Sequence, residues 1–146
     1  MKKTVLSIAM LSTSLLAGCE NYTYTLNEQP VFTPPSLFTD YQVSDRGLAN
    51  CLNQAIQDQK VSKARDLTLL NCSSAGITNL QGLEIFTGLT HVNLGDNDLR
   101  EIQPLLYLPQ LNTVLLTGNT QLSCKDAKLL AKQVRGEIRL PDHCSP

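Results

Sequence analysis

Five cysteines, two histidines and one Asp-Asn-Asp triplet are the residues of this chain whose types offer chemistry. His91 and His143 lie far apart in the sequence, so a zinc site built on either needs two or three further ligands converging from elsewhere. No spacing in the chain supplies them. Asp96-Asn97-Asp98 alternates oxygen donors as calcium loops do, but the glycine and the distant glutamate of such a loop are missing. Ser73, Ser74 and Ser123 stand outside any nucleophile-elbow context, and no glycine-rich phosphate loop exists. The expectation is a protein that is not an enzyme, with no catalytic residues, no metal and no cofactor.

The first cysteine belongs to a different chemistry. Met1-Lys2-Lys3 is a short basic segment, Thr4 to Leu16 is an apolar run, and Leu16-Ala17-Gly18 is a small-residue exit before Cys19. This order of features reads as an export signal, too short for a stop-transfer anchor. Leu16-Ala17-Gly18-Cys19 is similar to the bacterial lipobox. That resemblance implies removal of residues 1–18, lipidation of Cys19 with acyl chains including palmitate, and attachment of the mature protein to a membrane of the cell envelope. One acyl chain holds a protein weakly, whereas the three chains implied here hold it permanently. In that family an aspartate after the cysteine goes with retention at the inner membrane; Glu20-Asn21 here implies the outer membrane instead.

The formal net charge is −1, and −3 once Lys2 and Lys3 leave with residues 1–18. No basic block remains for nucleic acid, and aromatic residues are too few for a stacking platform. A content of 42% hydrophobic and 17% charged residues suits a globular core within the remaining chain. Residues 19–40, with Pro30, Pro34 and Pro35 and no clean period, are expected to form the lipidated cysteine and a flexible tether, in which Tyr22, Tyr24, Phe32 and Phe38 are solvated.

Beyond the tether the sequence repeats. Leu67, Leu70, Cys72, Ala75, Ile77, Leu80, Leu83 and Phe86 recur at a constant 22-residue offset as Leu89, Val92, Leu94, Asn97, Leu99, Ile102, Leu105 and Leu108. Leu111, Val114, Leu116 and Asn119 continue the offset, Leu122 arrives one residue late, and the pattern then stops. The spacing L-x-x-L-x-L-x-x-N-x-L is the leucine-rich-repeat signature. Its 22-residue length, with Gln103-Pro104-Leu105, resembles the internalin-like subclass. The chain from 41 to 122 is covered by this resemblance, and YQVSDRGLANCLNQAI looks like that family's N-terminal flank. The implied fold is an α/β repeat: a short solenoid of about three 22-residue turns with parallel strands on the concave face. Positions two apart, such as Val92 and Leu94, point inwards, and Asn97 turns its amide onto backbone groups in the bend.

Coils bury their apolar ring only against neighbours, so both ends need caps. Residues 41–66 are expected to form an N-terminal helical cap, residues 67–122 the repeats and residues 123–146 a C-terminal helix-strand cap closed by a disulfide. Ser44-Asp45 precedes Leu48, Cys51, Leu52, Ala55 and Ile56 at helical spacing. Ser123 with Asp126 resembles a capping box, Ala127, Leu130, Ala131 and Val134 share a face, and Gly136 reads as a stop before Ile138 and Leu140. Cys51, Cys72, Cys124 and Cys144 allow three pairings. Locality in an oxidising compartment favours Cys51 with Cys72 and Cys124 with Cys144.

What remains is surface. Stacked strands align three columns on the concave face: Leu69, His91 and Thr113; Asn71, Asn93 and Leu115; Ser73, Gly95 and Thr117. Exposed Leu69 and Leu115 with His91 and Asn93 between them make a mixed patch, and Arg100 and Glu101 a rim. The expectation is a monomeric, non-enzymatic module that binds a protein or peptide through Leu69, Asn71, His91, Asn93, Thr113, Leu115 and Thr117. The alternative is an accessory lipoprotein docked permanently on an envelope complex.

Overall fold

A computed structural model describes residues 24–26, 29–32 and 35–144. Cys19 and residues 1–18, on which the lipidation and signal readings rest, lie outside them. The chain divides into two compact units, residues 1–34 and 35–146. Among the described residues, no helix is long and apolar enough to cross a membrane.

In the first unit, strands β1 (Tyr24–Leu26) and β2 (Gln29–Phe32) pair antiparallel, Thr25 opposite Pro30 and Leu26 opposite Gln29. The sequence pattern predicts only an extended tether here. Pro30 is compatible with a strand because each strand of a two-stranded ladder has a free edge on which no N–H is needed.

The second unit is a leucine-rich-repeat-like α/β coil. Helix α1 (Arg46–Asp58) is followed by strands β3 (Leu69–Asn71), β4 (His91–Asn93), β5 (Thr113–Leu115) and β6 (Glu137–Arg139), which form one parallel sheet in that order. Helix α2 (Gln103–Leu106) connects β4 to β5, and α3 (Cys124–Gln133) connects β5 to β6. Single 3-10 turns occupy Ala64–Asp66, Leu83–Ile85 and Asp142–Cys144. The register runs Leu69, His91, Thr113, Glu137 in one row and Asn71, Asn93, Leu115, Arg139 in another. The constant offset of the sequence thus becomes a spatial neighbour relation from β3 to β5, and it lengthens by two positions at β6.

Period-two alternation within each strand decides which side chain enters the core. Leu70, Val92 and Val114, at the strand centres, are buried, as are Cys72, Leu94 and Leu116 just beyond. Leu67 and Leu89, Ile77 and Leu99, Leu80 and Ile102, Leu83 and Leu105, and Phe86 and Leu108 complete the ring at 1% exposure or less. The pattern does not stop at Leu122. Ala127 and Leu130 continue the offset from Leu105 and Leu108 and are the buried residues of α3, so this helix takes over the return segment of the coil it follows.

The bends are held by two buried asparagines. Asn97 Oδ1 accepts from the Ala75 and Ile77 N–H groups, each at 3.0 Å, and its amide donates to the carbonyls of Cys72, Leu94 and Gly95. Asn119 accepts from Leu99 N–H and donates to the carbonyls of Leu94 and Leu116. Each side chain joins its own coil to the preceding one. One residue before each of Ala75, Asn97 and Asn119, the backbone is left-handed: Ser74 at φ 53°, Asp96 at 55° and Gly118 at 79°.

The ends differ in detail from the capping expectations. At α1, Asp45 is the cap, its Oδ1 accepting from Leu48 N–H at 2.9 Å. At α3, Ser123 occupies the cap position but makes no side-chain capping bond, so the Ser123/Asp126 capping box is not formed. The Ser123 N–H donates to Arg100 O instead, which ties the helix start to the preceding coil. Gly136 is not the helix stop either. The helix ends at Gln133 with Val134 as its extended cap. Gly136 allows close approach, since a Cβ there would sit 2.6 Å from Asn112 O.

The solvated reading of Phe38 is also corrected. Its N–H donates to Val61 O at 2.8 Å, and its ring packs edge-on against Phe86 with centroids 6.0 Å apart. Tyr41 meets the same Phe86 ring at 5.6 Å, and burial raises its hydroxyl pKa. Phe86 closes the first coil, and two aromatic rings at that end offer it more buried area than water does.

Candidate functional site

Parallel pairing turns the outward residues of the strands into rows across the sheet, and every concave-face candidate lies on those rows or just past them. Leu69 is 51% exposed, one of the five large hydrophobic residues exposed among those described. His91 beside it is exposed, with Nδ1 2.8 Å from the Thr90 hydroxyl. Thr113 is half-buried and Thr117 exposed. Asn71 is exposed, whereas Asn93 is half-buried and its Oδ1 accepts from Gly95 N–H at 3.0 Å. Asn93 thus helps to shape the bend and has less of its amide left for a ligand.

Two features change the face from the one expected. Leu115 is half-buried rather than exposed, because Arg139 lies beside it in register on the same side of the sheet. The face is therefore four strands wide. Strand β6 adds Glu137 next to Thr113 and Arg139 next to Leu115, and these two exposed side chains form an ion pair with each other. The alternation around Ile138 signals the strand in the sequence, but its longer offset breaks the repeat that would align these two residues with the others.

Between the rows lies a shallow depression of about 200 Å³ bordered by Leu69, Asn71, His91, Asn93, Thr113 and Leu115. It is apolar at the Leu69 end and across Leu115, and polar between. A second concavity of about 660 Å³ runs between α1 and the β3 edge, past Leu69, the Cys51–Cys72 bond and Gln59. Gln59 Nε2 donates to Leu69 O at 2.7 Å, covering an edge carbonyl of the sheet. Leu69 borders both depressions. Arg100 and Glu101 are not a rim of this face: they line a separate groove with Glu84, Gln103 and Tyr107.

The cysteines are paired as Cys51–Cys72, Cα atoms 5.7 Å apart, and Cys124–Cys144, 5.0 Å apart. The first bonds α1 to the inward position after β3, and the second bonds the start of α3 to the last turn. Among the described residues, one group brings metal-ligand atoms together: Cys124, His143 and Cys144, all within 4.8 Å. Its only signal in the sequence is that His143 adjoins Cys144. Both sulfurs there are spent on the disulfide, and His143 Nε2 sits 2.9 Å from the Leu122 carbonyl, so no thiolate is offered to an ion.

No family model matches the chain, and no curated protein matches it. Among solved structures it is similar to internalin C2 from Listeria monocytogenes, at 23% identity and a TM-score of 0.45. The match covers 51% of this chain and 35% of that one, so the chain spans about a third of the length of that protein.

Proposed function

We propose that this chain is a lipid-anchored binding module of the bacterial envelope that takes a protein or peptide partner on its four-stranded concave face. The observation that carries this reading is the exposed row around Leu69, where a leucine, an imidazole and a threonine stand side by side above a rigid sheet. A coil gains nothing from a leucine at that position. A partner that covers it does, and a site on strands is held more firmly than one on loops. The bound segment lies across β3 to β6, its apolar residue on Leu69 and its polar groups towards His91, Asn71 and the Glu137–Arg139 end. At this width the face suits a peptide or the edge of a protein rather than a large interface.

The anchor in this reading is Cys19, which would place the module on a membrane, the outer one by the Glu20-Asn21 context, with residues 20–34 between lipid and module. The folded unit acts as a monomer and needs no cofactor.

Two measurements test the reading. Full-length protein made in an envelope-bearing bacterium incorporates labelled palmitate, and Cys19→Ser abolishes it; label retained in the variant rejects the anchor. A photo-crosslinking residue at position 91 yields one adduct that Leu69→Glu removes, while the same residue at exposed position 110 yields none. Equal adducts at both positions reject the concave face.

A further inference from the structure

Three exposed side chains repeat at the coil spacing on the helical side of the solenoid, away from the proposed concave site. Ile85 ends the turn Leu83–Ile85, Tyr107 caps α2, and Leu129 lies in α3; each follows the one before by one full coil period. They are 40%, 72% and 46% exposed, and make up three of the five exposed large hydrophobic residues among those described. Helix α2 touches the turn Leu83–Ile85 and α3, so the three positions form one column across neighbouring segments. The coil has no use for apolar residues at this phase. Its inward positions are filled by Leu83, Leu105 and Ala127 two residues earlier and by Phe86, Leu108 and Leu130 one residue later.

The charges around the column narrow the occupant. Lys125 and Lys132, four before and three after Leu129, share its outward face of α3, and Lys128 flanks it. All three are exposed, and no ion pair among the described residues includes them. Among the described residues the nearby carboxylates form no ion pair with them: Asp126 is half-buried, Glu84 accepts from Gly82 N–H, and Glu84 and Glu101 line with Arg100 the groove that Tyr107 borders. Lysine is depleted from packed protein interfaces, and a second copy docked here by symmetry would set the lysines against themselves. A column of apolar residues whose α3 end carries three flexible ammonium groups suits the boundary of an anionic bilayer, where the stems cover apolar surface and the charges reach headgroups.

We propose that Ile85, Tyr107 and Leu129, with Lys125, Lys128 and Lys132, form a lipid-facing surface that seats the solenoid on anionic headgroups and leaves the sheet face open to its partner. This contact stands whether or not Cys19 is acylated, and an anchor would only raise the local concentration of membrane.

The chain contains no tryptophan, so Tyr107→Trp supplies a single fluorescent reporter in the column and Thr113→Trp a matched reporter on the sheet. Each full-length variant is mixed with vesicles carrying brominated acyl chains, of either phosphatidylglycerol or phosphatidylcholine. The expected result is quenching of about two-fold or more at position 107 with phosphatidylglycerol and little at 113, lost when Lys125, Lys128 and Lys132 are all changed to Glu. Quenching at both positions alike, or at neither, overturns the proposal, as does equal quenching by phosphatidylcholine. Shielding of the 107 reporter from iodide that grows with protein concentration, without vesicles, overturns it in favour of a second copy.

Discussion

Asp45 Oδ2 accepts hydrogen bonds from both the backbone N–H and the hydroxyl of Thr78, each at 2.9 Å, across 33 residues of sequence. The same oxygen takes Asn79 N–H, while Oδ1 caps α1 at Leu48. One carboxylate thereby starts the cap helix and clamps it to the bend of the first coil. Asp45→Asn separates the two roles, because an asparagine retains an oxygen for Leu48 but turns an NH2 towards two N–H donors. The variant is expected to lose about 1–2 kcal/mol. In a double-mutant cycle with Thr78→Val, measured by chemical denaturation, the losses should fall short of additive; strict additivity would show that the clamp carries no coupling.

The same residue sets a pH dependence. Burial alone would raise the Asp45 pKa, but the hydrogen bonds from Leu48, Thr78 and Asn79 outweigh it and hold the carboxyl below its ordinary value of 3.8. A pKa lowered by folding contributes stability that is full above the unfolded value and fades as pH falls through the folded one. The stability gap between the wild type and Asp45→Asn should therefore stay level through neutral and mildly acidic pH and close below 3.8. A gap that narrows well above that point would mean another group titrates.

Replacing Asn97 with Leu strands the Ala75 and Ile77 N–H groups and the Cys72 carbonyl, whereas the Leu94 and Gly95 carbonyls keep bonds from Asn119 and Ser74. A cost of about 3 kcal/mol or more is expected. Asn119→Leu strands one N–H group, that of Leu99, and should cost about 1 kcal/mol less. Urea midpoints of the two variants decide the order.

Each disulfide closes a short loop, with separations of 21 and 20 residues. The chain-entropy model gives about 3 kcal/mol for either, so paired Cys→Ala variants at 51/72 and at 124/144 should lose similar amounts. Hydrogen exchange should then distinguish them by place: opening at α1 in the first variant and at α3 and β6 in the second. Opening of the whole unit in both would instead mark it as a single cooperative block.

Gly118 and Gly76 both have left-handed backbones, at φ 79° and 67°, but only one is crowded. A Cβ at 118 would lie 2.1 Å from Asp96 Oδ1 and 3.0 Å from Asp96 Cα, whereas one at 76 meets nothing within 4 Å. Gly76→Ala is expected to cost about 1 kcal/mol for the backbone alone, and Gly118→Ala clearly more. Thermal melts that show equal losses would mean that Asp96 moves aside freely.

The coil is legible in the order of residues alone. The common spacing of Leu70, Val92 and Val114 states which side chains turn inwards, and asparagine at 97 and 119 states where a bend needs an amide, because burial and local backbone demand repeat with the chain's own period. The leucine at 69 is legible as outward by the same alternation. Other features emerge only once the chain is folded. Alternation around Ile138 marks strand β6 in the sequence, but the strand joins the sheet at a longer offset from β5 than the repeat uses, so its place as the fourth strand, and with it that of Glu137 and Arg139 on the face, is not legible there. Ala127 and Leu130 hold the inward phase, but they lie on a full helix that reads as a separate cap. Phe38 and Tyr41 reach Phe86, and Asp45 reaches Thr78, through contacts between segments far apart in sequence. Periodicity reports how a residue faces its own neighbours along the chain; which distant group it meets depends on the path the backbone takes, and that path is settled by packing of the whole unit at once.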